Sequence, residues 1–466
     1  MNQIDANPES VLPPHALMCR FEADVPSCSS YPAANRFVEA IGADDLARAL
    51  RLRGSGSTVG GVAPLAIQVN IPFCEEPVDQ CTCRQVITKR HVCAARYLQA
   101  LHEEVELGAG EMGSRQLVSR LHVGGAVPLF LSDDELRQLV ALFSRFFRVA
   151  DDAEISIEAE ATLCTPQRVA SLRAAGFSRL AVKLGERLDA PASGDGLTQV
   201  VQAIREIGVA GVTVEIPCAA PWQTPAGFVR AVRLVAALRP PRIRIARYHA
   251  MPARLRATRA GLGAAVASTT ERTAQLCAAA EQLEAAGYIH IGLYEFVLPE
   301  DPLAVASRQG RLHVGPHGFS TRPDGDVLAI GLSAVGRIGT VSYQNVDNLS
   351  EYYAALNGRR LPVARGLVLD RDDLVRQGVI TALLCQGRVD FEAISLSHLI
   401  DMRTWFAKEF RLLSPLIQAG LVDVDHEAME LTAMGRWFAP VVAAVFDREL
   451  QRDALRERLS RGDGLL

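Results

Sequence analysis

"LAIQVNIPFCEEPVDQCTCRQ", residues 65–85, decides how this chain is read. A β-rich run from Leu65 to Ile71 ends in Pro-Phe-Cys, which sets Cys74 just past the C-terminal end of a predicted strand. Cys81 and Cys83 follow, with Val78 between them and the first cysteine. Sulfur ligands on a loop after a strand are the sequence mark of a metal or cluster site, so the run raises both a fold and a chemistry.

Outward from this stretch the chain alternates strands and helices. LAIQVNI (65–71) precedes a helix over about 94–108, and LVSRLHV (117–123) precedes SDDELRQLVALFSRFF, where Ser132 and Glu135 have capping-box spacing. AEISIEA (153–159) precedes TPQRVASLRAAG, with Pro166 near N1 and Gly176 at the stop. SRLAVKL (178–184), VTVEI (212–216), RIRIAR (242–247) and YIHIGL (288–293) continue the alternation. Six or seven such units predict a parallel sheet, because only a crossover helix returns the chain parallel. The strands read as apolar on both faces. The predicted fold is α/β: a partial (β/α) barrel over residues 61–350, preceded by an irregular N-terminal extension (1–60). A mostly helical, winged-helix-like domain follows over 351–466. An open doubly wound sheet is the alternative. In the last segment the helix of LDRDDLVRQGVITALLCQG, a helical stretch over 395–420, a hairpin in LVDVDHEAMELT and a final helix over 435–458 are expected.

Composition narrows the function. The 466 residues are 49% hydrophobic and 22% charged, which suits a folded globular protein. A net charge of -4 gives no electrostatic reason to expect nucleic acid or a membrane as partner. The start MNQIDANPES lacks the basic-then-apolar order of a signal peptide, and no apolar run approaches the ~20 residues of a membrane span. The expectation is a cytoplasmic protein, a monomer being favoured, with most of its ten cysteines as reduced thiols.

In a β/α barrel the chemistry sits at the C-terminal strand ends. Those ends carry Cys74, the Gly124-Gly125-Ala126-Val127-Pro128 turn, Glu158 and Glu160, Lys183 and Gly185, Glu215, Tyr248-His249, and Tyr294-Glu295. Cysteines, a Gly-Gly turn and carboxylates on one rim describe a cofactor site. The alternative readings are plain: a tight turn at Gly124-Gly125, buried packing cysteines, and ion pairs from Glu158 and Glu215 to Lys183 or Arg247. Zinc held by Cys74, Cys81, Cys83, Cys93 and His91 is a further one, though the spacing matches no common zinc module.

The stretches SSYPAANRF, IQVNIPFC, LHVGGAVP, AEISIEAE, RAAGFSRL, QTPAGF, GYIHIGLYEF, VLAIGLSAVGRIG, LDRDDLVRQGVI and AGLVDVD occur in an order that resembles the oxygen-independent coproporphyrinogen III oxidase family of radical S-adenosylmethionine enzymes. The resemblance implies a 4Fe–4S cluster on a C-x3-C-x2-C loop and S-adenosylmethionine on its open iron. It also implies a tetrapyrrole substrate, two of whose propionates are decarboxylated to vinyls. It places metal ligands at Cys74, Cys81 and Cys83, and cofactor contacts at Gly124, Gly125, Ala126, Glu158 and Glu215. It also exposes departures. The second cysteine falls on Val78, the strand-four glutamine on Gly185 and the strand-five aspartate on Glu215, and a family arginine has no counterpart in DAPASGDGLTQ. Three functions are carried forward: an active oxidase with an unusual ligand set, a non-catalytic relative that binds a tetrapyrrole or haem, and a radical enzyme with another substrate.

Overall fold

The computed structural model describes residues 12–21, 31–56, 64–76, 86–113, 115–185, 198–199, 201–203, 205–206, 211–220, 223–248, 267–315, 318–323 and 325–451. Two compact units are each assembled from separated segments: Ala34–Ala267 with Asp324–Leu369, and Met1–Ala33 with Ser268–Pro323 and Asp370–Leu466.

The larger unit is built on β1 (Leu65–Ile71), β2 (Leu117–Gly125), β3 (Arg148–Glu160), β4 (Arg179–Lys183), β5 (Gly211–Cys218) and β6 (Arg242–Arg247). Each strand lies parallel to the one before it. Crossovers are made by α1 (Val92–Met112), α2 (Asp133–Phe146), α3 (Pro166–Ala174) and α4 (Pro225–Ala237). Their starts are written locally. Ser132 and Glu135 form the reciprocal capping box of α2, and Thr165 and Thr224 cap α3 and α4 with a proline at the first helical turn. Helix α1 stops at Gly113, whose φ of 67° is the left-handed C-cap that glycine adopts without strain.

The sheet continues on the other side of β1 with four strands that the strand–helix rhythm did not predict. β7 (Val327–Ile330) runs parallel to β1, and β8 (Val335–Ile338), β9 (Val341–Asn345) and β10 (Val363–Val368) follow antiparallel. The expectation of apolar strands on both faces is corrected. Ile67, Val69 and Ile71, Leu121 and Val123, Ile157 and Ala159, Leu180 and Val182, and Val214 and Ile216 are almost fully buried. The residues that alternate with them are Gln68 and Asn70, His122, Ser156, Glu158 and Glu160, Lys183, Glu215 and Arg244. The sheet therefore has one apolar face, suited to the helices' buried stripes, and one polar face. Strict period-two alternation is what a sheet with a single dry face requires.

The end of β1 is held by a buried network. Glu104 of α1 accepts hydrogen bonds from Tyr352 Oη (2.5 Å), Gly331 N–H (2.7 Å) and Asn345 Nδ2 (2.6 Å). Tyr97 Oη donates to the Asn70 carbonyl at 2.7 Å and accepts from Leu332 N–H at 2.8 Å. These bonds tie α1 and β1 to the segment after β7, and each donor is matched, as burial demands.

In the smaller unit helix His15–Phe21 packs on Thr269–Ala285, and helix Ala43–Gly54 belongs to the larger unit, so residues 1–60 are less irregular than expected. The strand expected in YIHIGL is present as Ile289–Gly292, preceded by helix Thr269–Ala285. Ile289–Gly292 turns back through Leu293 and Tyr294, both at positive φ, and pairs antiparallel with Glu295–Val297. A two-residue turn is too short for a parallel return. Helix Arg371–Gln386 is capped by an Asp370–Asp373 box and ends at left-handed Gly387. The stretch 395–420 breaks into short helices, with Leu399 left-handed and Asp401 capping the next turn. The predicted hairpin is present as Val422–Val424 and Ala428–Leu431, joined by Arg388–Asp390. The last predicted helix is broken as well: a turn at Gly435–Phe438 and helix Ala439–Ala444 precede Asp447, which caps a new turn through Glu449 N–H and Leu450 N–H.

Burial pushes the Glu104 carboxyl up to about 7 despite its three donors. The folded chain thus binds a proton that the unfolded chain releases near 4.5, and this contribution to stability is lost as pH rises between those values. Denaturant unfolding at pH 5 and pH 8 should show the decline, on the order of 3 kcal/mol for this group. Glu104→Gln should flatten that part of the slope.

Candidate functional site

The C-terminal ends of β1 to β6 carry the candidate residues. Phe73–Cys74 forms a short strand parallel to Val86–Ile87. Cys74 is buried against Ala126 and Val127, and Val127 N–H donates to the Phe73 carbonyl at 3.2 Å. The loop is thus fastened to the glycine turn at its start. Cys81, Cys83 and Val78 lie outside the described residues, as do His249 and the DAPASGDG stretch. Cys93, by contrast, sits on the first turn of α1, and His91 before it bonds Glu135 at 2.8 Å.

Gly124 and Gly125 end β2 opposite Asn70 and Ile71. A Cβ on Gly125 would lie 2.4 Å from the Ile71 carbonyl oxygen, and its φ of +123° excludes other residues without strain. Ala126 N–H then donates to that same carbonyl at 2.8 Å. A Cβ on Gly124 would come within 3.1 Å of the Glu158 carboxylate and 2.9 Å of His122 Nε2. The turn is therefore made of glycine for close approach to neighbouring strands, which is sufficient without a ligand.

Glu158 sits at the centre of the rim. Its Oε2 accepts from Lys183 Nζ at 2.8 Å and from Gly125 N–H at 3.2 Å, and its Oε1 lies 3.6 Å from His122 Nε2. His122 Nδ1 in turn meets Ser156 Oγ at 2.9 Å. Glu215 accepts from Arg244 at 2.8 Å rather than from Arg247. Along one register row the strands present Glu160, Lys183, Glu215 and Arg244, alternating in sign. Burial works against the Lys183 ammonium, but Glu158, Glu215 and Glu160 hold its pKa above the ordinary lysine value. Glu160 completes the group. It stands at a strand end noted in the sequence but was not singled out as a contact. Both of its carboxylate oxygens are shut off from solvent and have no hydrogen-bond partner. Burial pushes this carboxyl up to about 7, against the pull of Lys183 and with Glu158 adding to the rise. The signal for it was legible: Glu-Ala-Glu at a strand end puts two carboxylates on one face.

Gly185 lies beyond the rim, exposed, with open space where a Cβ would go. Nothing in the local packing demands glycine there.

A family profile described as the HemN C-terminal domain matches residues 369–438. The chain is 32% identical over 453 residues to the oxygen-independent coproporphyrinogen III oxidase of Salmonella typhimurium, covering 96% of this chain and 97% of that one. It is also 32% identical over 458 residues to the protein of the same name from Pseudomonas aeruginosa, covering 96% of this chain and 97% of that one. A solved structure titled as coproporphyrinogen III oxidase (HemN) from Escherichia coli, a radical SAM enzyme, superposes with a TM-score of 0.82 at 31% identity. The match covers 90% of this chain and 97% of that one. Among the described residues no helix is long and apolar enough to cross a membrane.

The two glycine environments predict opposite outcomes. Gly125→Ala should lower stability by about 2–4 kcal/mol, through strain and backbone overlap. Gly185→Gln, into open space, should stay within about 0.5 kcal/mol. Thermal and urea unfolding of both variants provide the comparison.

Proposed function

Since the chain belongs to the oxygen-independent coproporphyrinogen III oxidase family, a radical S-adenosylmethionine family, we propose that it is a tetrapyrrole-binding member in which the family's radical turnover is reduced or lost. The family reaction converts two propionates of coproporphyrinogen III to vinyl groups, giving protoporphyrinogen IX. The observation that carries the proposal is the donor set that the sequence supplies between Cys74 and Cys83. Where three thiolates are needed, Val78 contributes an alkyl group with no lone pair for iron, and Cys81 and Cys83 are separated by one residue. The residues present do not fit a three-cysteine cluster loop.

The second support is electrostatic. Glu158, which stands where the family's strand-three glutamate does, is committed to Lys183 and to Gly125 N–H. A cofactor ammonium at Glu158 would have to displace a lysine ammonium already at hydrogen-bond distance. Gly185 adds no polar contact in place of the family's glutamine. The apolar face and the Glu104 network, which concern folding rather than cofactor, are intact. A tetrapyrrole fits the polar face of the sheet, because its carboxylate side chains need charged and polar partners at depth.

The test is anaerobic. After reconstitution with iron and sulfide, the unmodified protein should hold well under the about four irons of a full cluster. Val78→Cys should raise the iron content and the visible absorbance. It should leave 5′-deoxyadenosine formation with coproporphyrinogen III close to the unmodified level, because at least two polar contacts remain missing, worth about 1–1.5 kcal/mol each. Full iron in the unmodified chain, or protoporphyrinogen from either protein, would overturn the reading.

A further inference from the structure

Glu160 ends β3 with its Cα in register with Lys183 of β4, on the polar face of the sheet. Its two carboxylate oxygens are buried and unpartnered, an arrangement that costs free energy unless something else occupies the space. Lys183 directs its ammonium to Glu158 at 2.8 Å, and that is one hydrogen bond from a group with three donors. Between them, Glu160 and Lys183 hold an unused acid and two unused N–H donors side by side. From the geometry we infer that Glu160 and Lys183 together bind a ligand carboxylate: Glu160 donates its acidic proton to one oxygen while Lys183 donates to the other. The inference rests on the tetrapyrrole reading above, and names the propionate side chain as the part of the ligand held here.

The chemistry favours this occupant over others. A neutral carboxylic acid is a donor, and beside an ammonium it completes a site for an anion, with charge-assisted bonds on both sides. Burial and, less strongly, Glu158 raise the Glu160 carboxyl, while Lys183 pulls it the other way. Glu158 lies two residues back on the same strand, and the Cys164 thiol follows on the next turn of chain, its own pKa pushed up to about 12 by burial and by Glu160. From β4 comes Lys183, beyond it on β5 stands Glu215 paired with Arg244, and from β2 come Gly124-Gly125 and His122, the latter beside Glu158. A cationic ligand group would instead lie against Lys183 and be repelled. A pyrrole N–H would need Glu160 ionised, which reverses the pH dependence.

That reversal makes the site testable by titrating coproporphyrin III, followed by absorbance and fluorescence, into the intact protein at pH 6 and pH 8. Simple carboxylates with pKa values near 4 are ionised at both, so the ligand keeps its charge, and Glu160→Gln separates Glu160 from Glu104, whose carboxyl is also pushed up to about 7. The expected result is affinity for coproporphyrin III roughly tenfold weaker at pH 8 than at pH 6. Glu160→Gln, a permanently neutral donor, should hold at pH 8 near the affinity that the unmodified protein shows at pH 6. The tetramethyl ester, lacking the carboxylates, should bind with no pH dependence. Circular dichroism of Glu160→Gln checks that the fold is kept. Affinity that rises with pH, or Glu160→Gln weakening binding equally at both values, overturns the carboxylate assignment and leaves the tetrapyrrole reading standing. No binding of either porphyrin by the unmodified protein at either pH overturns the tetrapyrrole reading and this inference with it.

Discussion

The ion pair between Glu158 and Lys183, at 2.8 Å on the polar face of a parallel sheet, is the interaction around which the rim is organised. Removing Lys183 would leave a partly buried carboxylate among like charges, since Glu160 and Glu215 lie in the flanking row. The same carboxylate takes the Gly125 N–H, so the electrostatics of β3 and β4 and the backbone of the β2 turn are one arrangement. Glu158 cannot be reassigned to a ligand without leaving Lys183 and Gly125 to find other acceptors.

That arrangement is placed by two close approaches of backbone. Gly125 brings the end of β2 against Ile71, and Gly331, at φ +100°, brings the segment after β7 against Asn70. In each case a Cβ would overlap the β1 backbone, at 2.4 Å and 2.6 Å respectively. Glu104, Tyr97, Tyr352 and Asn345 then close the interior side of β1 with matched hydrogen bonds. The end of β1, from which Cys74 emerges, is held on both sides by glycine and by a buried carboxylate. The framework is therefore stiff where the loop departs, whatever the loop carries.

Framework and rim answer to different demands. Framework residues are held by burial, capping and close approach, demands that do not depend on any ligand. Rim residues answer to what they bind. In this chain Ser132, Thr165, Gly113 and Gly125 meet requirements of folding, whereas Gly185, with open space where a Cβ would go, meets none. Glu160 belongs to the second class, buried like a framework residue but partnered like neither.

The sequence by itself determined the parallel core. The capping box at Ser132, Pro166 at a helix start, the glycine stop at Gly176 and the six strand segments are written in local periodicity and capping, which need no distant contact. The positions of Cys74, Gly125, Glu158 and Glu215 at strand ends were legible for the same reason. Only the tertiary structure decided that β7 to β10 extend the sheet beyond β1, because strand partners far apart in sequence leave no local signature. It likewise decided that Ile289–Gly292 turns into a hairpin, through positive φ at Leu293 and Tyr294, residues that rarely adopt it. Alternation in QVN, RLH and IEAE could have revealed the polar face, but which carboxylate is paired depends on register across strands. Lys183 reaches Glu158 and leaves Glu160 unpartnered because side-chain geometry, not sequence distance, selects between two acids two residues apart.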